Sequence, residues 1–234
     1  MEEYSESILA VENADWSSVF EQLDRGIPFD QLHSHSGLSA LGRAVVDRNG
    51  SIVEQLLAKG ASPDPFLMRN KTWYSPLWAA LERGYEDIAI ILIRAGAKPD
   101  DQKDYGDSPI CFASQQRMAS ATCELCSHGA NPNPNSKISP LLTWIGNIAH
   151  DISELDDASL VSLSTIFCLL DAGADPDARD SAGLNAPMLA RRMWWPLEDS
   201  DSFPKGAMAV SAMEGAIINN SCKTPSEHTI PKRI

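Results

Sequence analysis

Apolar residues recur at helical spacing ahead of the Gly-Ala pairs of this chain. In the clearest row, Ile88, Ile91 and Leu92 precede Gly96. Comparable rows precede two other glycines and consist of Ile52, Val53, Leu56 and Leu57 before Gly60 and of Ile166, Leu169 and Leu170 before Gly173. Side chains three and four positions apart lie on one face of a helix. A glycine in the left-handed backbone conformation commonly ends a helix. The pattern therefore predicts a series of amphipathic helices, each ending at a glycine.

A second signal predicts where the preceding helices begin. Three triplets of serine, proline and an apolar residue occur, namely Ser75-Pro76-Leu77, Ser108-Pro109-Ile110 and Ser139-Pro140-Leu141. Serine caps a helix by accepting a hydrogen bond from a backbone N–H, and proline suits the first helical position. The closing glycines Gly60, Gly96, Gly129 and Gly173 are 36, 33 and 44 residues apart. The chain is therefore built from repeats, each with two helices.

The repeats resemble the ankyrin family, in which a Thr-Pro-Leu-His-x-Ala pattern opens the first helix and the period is 33 residues. The matching stretches are Ser75–Ala80, Ser108–Ala113, more weakly Ser39–Ala44, and Ser139–Trp144, where Trp144 replaces the alanine. In the first three, the alanine precedes its closing glycine by 16 residues, and Ala10 precedes Gly26 by the same distance. The resemblance implies an all-α repeat fold, an ankyrin solenoid of helix-turn-helix pairs joined by β-hairpin-like fingers.

This register predicts the organisation of the chain. We expect an amino-terminal capping repeat at 1–36, four ankyrin repeats at 37–181, a divergent repeat and carboxy-terminal cap at 182–220, and a polar flexible tail at 221–234. Trp144 lies 29 residues before Gly173, where 16 is the rule, so about 13 residues are inserted at about 148–161, between the two helices. The insertion is either a tolerated extension or a second, acidic contact site.

Charge narrows the class of partner. The chain has 19 basic and 32 acidic residues, for a net charge of −13. Nucleic acids and anionic membranes select positive surfaces, so neither is an expected partner. The acidity favours a basic protein, although it also serves solubility alone. Asp100, Asp101 and Asp104 crowd one finger and are candidate partner-binding residues.

The finger between Gly60 and Pro76 is longer than the others. It carries five residues of the types that interfaces enrich: Phe66, Met68, Arg69, Trp73 and Tyr74. We predict that they contact a partner, together with Trp78 and Phe112 on the inner helices. The alternative is that the finger aromatics fold back onto the adjacent repeats.

Signals for chemistry are weak, so we expect no catalytic site, cofactor or metal. Cys123 and Cys126 have ligand spacing but fall inside a predicted helix, and His33 and His35 supply only two ligands. Five scattered cysteines indicate a reducing compartment. No apolar stretch approaches the length of a membrane span, and the start of the chain is acidic where a signal peptide is basic. These features predict a cytoplasmic protein that is monomeric on its own.

The expected function is therefore binding rather than catalysis. We predict a protein that captures, and inhibits or sequesters, one basic protein partner, for example as an immunity protein for a cognate toxin. A general scaffold or adaptor is the main alternative. A less favoured one is an enzyme, or an enzyme-regulatory subunit, that uses the divergent carboxy-terminal region.

Overall fold

The structure is a computed structural model that describes residues 2–28, 34, 37–65, 68–69, 72–73, 75–100, 108–134, 139–151, 157–189 and 215. The chain forms two compact units, Met1–Ala130 and Asn131–Ile234. None of the described helices is long and apolar enough to cross a membrane.

Among its described residues, the first unit contains four helix pairs. The pairs are α1 (Glu2–Glu12) with α2 (Trp16–Asp24), α3 (Ala40–Val46) with α4 (Gly50–Ala58), α5 (Pro76–Glu82) with α6 (Glu86–Arg94), and α7 (Pro109–Gln115) with α8 (Ala119–Ser127). The first helices contact one another in the order α1, α3, α5, α7, and the second helices α4, α6, α8 form a parallel series. The unit is thus a two-layer helical solenoid, and the fold prediction is confirmed.

The long finger contains a short antiparallel ladder. Strand β1 (Met68–Arg69) pairs with β2 (Thr72–Trp73), and the register places Met68 opposite Trp73. Within the described part of the chain, these four residues are the strand content. The rest of the regular structure there is helical, so the fold class is all-α.

The serines cap the first helices as predicted. The Oγ atoms of Ser39 and Ser75 accept hydrogen bonds from the backbone N–H groups of Gly42 and Trp78 at 3.0 and 3.3 Å. Pro76 follows as the first residue of α5. Because the cap satisfies a backbone donor that has no partner inside the helix, it fixes where the helix begins.

Each regular repeat also has a left-handed residue between its two helices, which the sequence pattern did not reveal. The three-residue connections have positive φ at their middle positions: 54° at Ala14, 54° at Arg48, 73° at Gly84 and 60° at Arg117. A left-handed conformation is costly for residues with a Cβ atom, so three of the four positions carry backbone strain.

The predicted apolar rows form the core between neighbouring helices. Ile88 and Leu92 are buried, and Ile91 beside them is half-buried. The alanines that end the opening pattern, Ala44, Ala80 and Ala113, have no exposed surface. Small residues at these positions allow the two layers of helices to approach closely.

In the second unit, both helices of the pair are longer. Helix α9 (Pro140–Asp151) has 12 residues and α10 (Asp157–Asp171) has 15, compared with 7 and 9 in α5 and α6. The extra residues therefore lengthen both helices and are not confined to a loop. A further helix begins at 186, where Asn185 Oδ1 accepts a hydrogen bond from the Met188 N–H at 3.1 Å. Residues 190–214 and 216–220 of the predicted carboxy-terminal cap, and the whole predicted tail at 221–234, lie outside the described residues.

Candidate protein-binding surface

The loops after Gly60, Gly129 and Gly173 are shaped by side-chain hydrogen bonds to their own backbone. Ser62 Oγ accepts from the Asp64 N–H at 3.3 Å, and Asn131 Oδ1 accepts from the Asn133 N–H at 2.9 Å. Asp175 Oδ1 accepts from the N–H of the residue two positions on at 2.9 Å. Such contacts are the reason that short polar residues favour turns. They give the base of these three fingers a defined conformation.

A second set of hydrogen bonds links the loops of successive repeats. Both carboxylate oxygens of Asp64 accept from the Lys98 N–H, at 3.2 and 3.1 Å. In the second unit, Asn133 Oδ1 accepts from the Asp175 N–H at 2.7 Å, and its Nδ2 donates to the Gly173 oxygen at 2.8 Å. Asp64 and Asn133 both lie four residues after a closing glycine. A polar side chain at this position is therefore a structural link between repeats.

The linking role of this position changes the interpretation of Asp100 on the acidic finger. Asp100 is exposed and also lies four residues after a closing glycine, Gly96. Asp100 thus occupies the same repeat position as the linking residues Asp64 and Asn133, and it is also exposed on the surface. Asp101 and Asp104 lie outside the described residues. For Asp100, removal of the charge has to be separated from removal of the acceptor oxygen.

On the long finger, the structure describes the backbone of Met68, Arg69 and Trp73 in the β1–β2 ladder. Phe66 and Tyr74 lie outside the described residues. The ladder places the two strands of the finger side by side, so that residues from both strands are available on one element. The role of these residues as partner contacts stays a prediction.

The inner helices bring two of the predicted aromatics together. The rings of Trp78 and Phe112 meet edge to face, with centroids 5.6 Å apart and an interplanar angle of 67°. Trp78 is 3% exposed, and Phe112 is half-buried. A direct partner contact by Trp78 is therefore not supported, because the ring is packed inside the protein. Its position instead holds Phe112 in a fixed orientation at the surface.

An ion pair on the second helices was not anticipated from the sequence. Arg94 Nε and Nη2 donate to the two carboxylate oxygens of Glu124 at 2.9 and 3.1 Å, linking α6 to α8. This hydrogen bonding holds the pKa of Glu124 below its usual range, against the opposing effect of burial, and raises the pKa of Arg94. Nearby, Glu86 Oε1 accepts from the Ala121 N–H at 3.0 Å. The second helices are thus joined by charged contacts as well as by the core.

The remaining candidates for chemistry are few. Cys123 and Cys126 are half-buried on α8, which agrees with their predicted helical position. His33 and His35 lie outside the described residues. Within the described part of the chain, no group of three or more histidine, cysteine or acidic side chains is arranged to hold a metal ion.

Comparison with known families and proteins agrees with this architecture. A family model described as ankyrin repeats (three copies) matches residues 41–137. Protein phosphatase 1 regulatory subunit 27 of Mus musculus is 40% identical over 85 residues, which cover 36% of this chain and 53% of that protein. A putative ankyrin repeat-containing protein of Treponema pallidum is 29% identical over 54% of this chain and 41% of its own length. The chain thus spans about half the length of such curated relatives.

Solved structures give the same fold. An ankyrin repeat domain from Acinetobacter baumannii aligns with a TM-score of 0.63 at 20% identity, covering 93% of this chain and 98% of that domain. Another ankyrin repeat protein aligns with a TM-score of 0.57 at 18% identity, covering 90% of this chain and 96% of its own. At these identities, the likeness establishes the fold alone.

Proposed function

We propose that this ankyrin-repeat protein captures one protein partner and inhibits it, without catalysing a reaction itself. Ankyrin repeats generally bind proteins. The observation that carries the proposal is the Trp78–Phe112 pair, in which a buried ring holds a half-exposed ring on two regular helices. An aromatic side chain that is already ordered loses little conformational entropy on binding, and such anchors dominate interface energetics.

The proposed partner is basic. The net charge of −13 and the exposed carboxylate of Asp100 support this choice, because an attractive field accelerates the encounter of oppositely charged proteins. The proposed contacts comprise Phe112, supported by Trp78, and two sets on the fingers: Phe66, Met68, Arg69, Trp73 and Tyr74, and Asp100, Asp101 and Asp104. The aromatic set supplies desolvated anchors, and the acidic set steers association.

Inhibition is the proposed consequence of capture. A small, strongly acidic repeat protein suits the role of an immunity protein that neutralises a toxin, because rapid association shortens the time during which a basic effector acts. A scaffold or adaptor would use the same surfaces but would leave the activity of its partner unchanged.

A second candidate is a regulatory subunit of an enzyme. The observation that favours it is the similarity of one segment to protein phosphatase 1 regulatory subunit 27, a relative of which this chain spans 53%. A regulatory subunit would change the rate or the substrate choice of the enzyme that it binds, and would not abolish its activity.

The test begins with affinity purification from the native organism, with the parent chain and its Phe112→Ala variant as baits. A partner should be enriched by the parent and depleted with the variant, because truncation removes the anchor while leaving Trp78 in place. A second variant, Asp100→Asn, removes the charge but keeps an acceptor oxygen, as Asn133 does naturally. It should slow association and weaken its dependence on salt.

The activity of the purified partner then distinguishes the candidates. Loss of activity in a one-to-one complex is the expected result. Altered rate or substrate choice would favour the regulatory subunit, and unchanged activity together with a third bound protein would favour the scaffold. A chain that turned over a substrate by itself would overturn the non-catalytic proposal.

A further inference from the structure

One dipeptide of the chain combines a labile side-chain amide with an unhindered peptide nitrogen. Asn49-Gly50 is the only Asn-Gly pair in the sequence. The peptide nitrogen after an asparagine can attack the side-chain amide carbon, and glycine hinders this attack least because it has no Cβ atom. Asn131 and Asn133, in contrast, precede prolines, whose nitrogens carry no proton to lose. The chemistry for a spontaneous modification is therefore concentrated at residue 49.

In the folded chain, Asn49 is held by three hydrogen bonds. It is the N-cap of α4, and its Oδ1 accepts from the Ile52 N–H at 3.2 Å. Its backbone N–H donates to the Ala44 oxygen at 2.9 Å, and its backbone oxygen accepts from the Val53 N–H at 3.0 Å. The cap bond restrains the amide, and α4 restrains the peptide that follows. The folded helix start therefore protects the side chain that caps it.

Gly50 lies where two repeats meet. A Cβ atom at this residue would be 3.9 Å from both Ile88 Cγ1 and Ile91 Cδ1, so the backbone here packs on α6 of the next repeat. Ile88 is buried and belongs to the core between the two repeats. A change in the backbone at residue 49 would therefore act directly on the contact between α4 and α6.

The residue before Asn49 carries backbone strain. Arg48 has a φ of 54°, which is costly for a residue with a Cβ atom, and opening of the connection between α3 and α4 would release this cost. The Arg48 guanidinium lies 5.1 Å from the centre of the Tyr85 ring, a contact that holds the connection on the next repeat. The protection of Asn49 thus depends on the local stability of its own repeat.

We infer that Asn49 is a site of spontaneous deamidation that is controlled by local opening of the α3–α4 repeat. In the open state, the Gly50 nitrogen forms a bond to Asn49 Cγ, the Cγ–Nδ2 bond breaks, and ammonia leaves with the proton of that nitrogen. Water then opens the cyclic imide at Cγ to give aspartate, or at the backbone carbonyl to give isoaspartate. The reaction consumes only water, and the inference is independent of the proposed protein-binding function.

The two products should affect the fold differently. Aspartate keeps an acceptor for the Ile52 N–H, and its negative charge favours the start of a helix. Isoaspartate continues the chain through the side-chain carbon and adds a methylene group to the backbone, which displaces Gly50 from Ile88. Asn49→Asp should therefore have a urea midpoint close to that of the parent, whereas the purified isoaspartate form should have a lower one.

The test follows the full chain in mildly alkaline heavy-oxygen water, with the products at residue 49 measured by peptide mapping and mass spectrometry. Leu56→Ala is the informative variant and Leu125→Ala its matched control, because both leucines are fully buried four residues before a closing glycine. Leu56→Ala should accelerate deamidation about tenfold, and Leu125→Ala much less, because it weakens the α7–α8 repeat instead. Gly50→Ala, whose Cβ atom would make ordinary contacts, should suppress the reaction in both the folded and the urea-unfolded chain.

Three results would overturn the inference. Equal acceleration by the two leucine variants would show that the reaction follows unfolding of the whole unit. A folded parent that reacts as fast as the urea-unfolded parent would show that the helix start gives no protection, and an unchanged rate in Gly50→Ala would exclude the assigned chemistry. If circular dichroism shows that a leucine variant does not fold, Tyr85→Leu replaces the pair. It should accelerate deamidation by releasing Arg48, and an unchanged rate would contradict local control.

Discussion

The regular helix pair α5–α6 and the long pair α9–α10 share one end and differ at the other. Both first helices begin with proline after a serine, and both second helices end two residues before a glycine. The pairs differ in helix length and in the residue at the alanine position, which is Ala80 in one and Trp144 in the other. The finger ends of a repeat are therefore fixed by local capping signals, whereas the opposite end accepts extra helical turns.

The main difference between the cores of the two helix pairs is Trp144. It is 1% exposed, and within the described part of the chain its indole Nε1–H has no hydrogen-bond acceptor. Ala80 at the equivalent position is completely buried. The long pair therefore accommodates a large ring where the regular pair accommodates a methyl group, at the cost of one unsatisfied donor.

The largest expected change in stability comes from removing the Trp144 ring. Trp144→Ala should lower the free energy of unfolding of the second unit by about 3–5 kcal/mol, because it leaves a large cavity. If α9 and α10 were able to repack like α5 and α6, the variant would instead be close to neutral. Trp144→Phe is the control, since it keeps most of the ring and removes the unsatisfied donor, and it should cost much less. Urea denaturation followed by circular dichroism measures both.

The second prediction concerns the links between fingers. Asp64→Ala should lower the free energy of unfolding of the first unit by about 0.5–1.5 kcal/mol, because the Lys98 N–H exchanges its carboxylate acceptor for water. Asp64→Asn should reduce stability much less, since in the second unit an asparagine, Asn133, accepts the equivalent hydrogen bond. Equal losses in the two Asp64 variants would show that charge, rather than the acceptor oxygen, makes the link.

The third prediction concerns the connection between the two helices of a repeat, at the end where helix length varies. Gly84→Ala should cost about 1 kcal/mol from backbone strain alone, because φ is 73° and an added Cβ would meet no atom within 4 Å. Ala14→Gly, at φ 54°, should change stability in the opposite direction by a similar or smaller amount. Urea midpoints that moved the same way in both variants would contradict a left-handed requirement at this position.

The smallest expected effect is the pH dependence that Glu124 contributes. Because the Arg94 hydrogen bonds lower the pKa of Glu124 from its ordinary value of 4.5, the folded state gains stability above that value. This gain is lost as the pH falls through the lower folded pKa. Glu124→Gln should therefore flatten the decrease in melting temperature on acidification, and added salt should reduce the difference, as expected for a pair whose arginine side chain is 65% exposed. A parallel shift at all pH values would contradict the pairing.

Local signals made much of the fold predictable. The Ser75-Pro76 cap, the closing glycines and the row around Leu92 are read directly from the sequence, because each depends on residues within one helix. Trp144 and the 29-residue spacing likewise revealed the unusual pair. The spacing did not reveal that the inserted residues extend both helices, because that outcome depends on packing.

The candidate surface was less predictable because it depends on contacts between repeats. The Asp64 link and the Arg94–Glu124 pair join residues 34 and 30 positions apart. The recurrence of Asp64, Asp100 and Asn133 four residues after a glycine was the available signal for the first. Burial decides the role of Trp78, since its ring packs inside and leaves the surface position to Phe112.

The most direct test of the central claim is the dissociation rate of the complex with the purified partner, compared for the parent, Phe112→Ala and Trp73→Ala. The account predicts faster dissociation for both variants, corresponding to about 1–4 kcal/mol for each true anchor, with the helix content of the folded state unchanged by circular dichroism. Dissociation as slow as that of the parent in both variants would contradict it and would exclude the inner helices and the long finger as the binding surface.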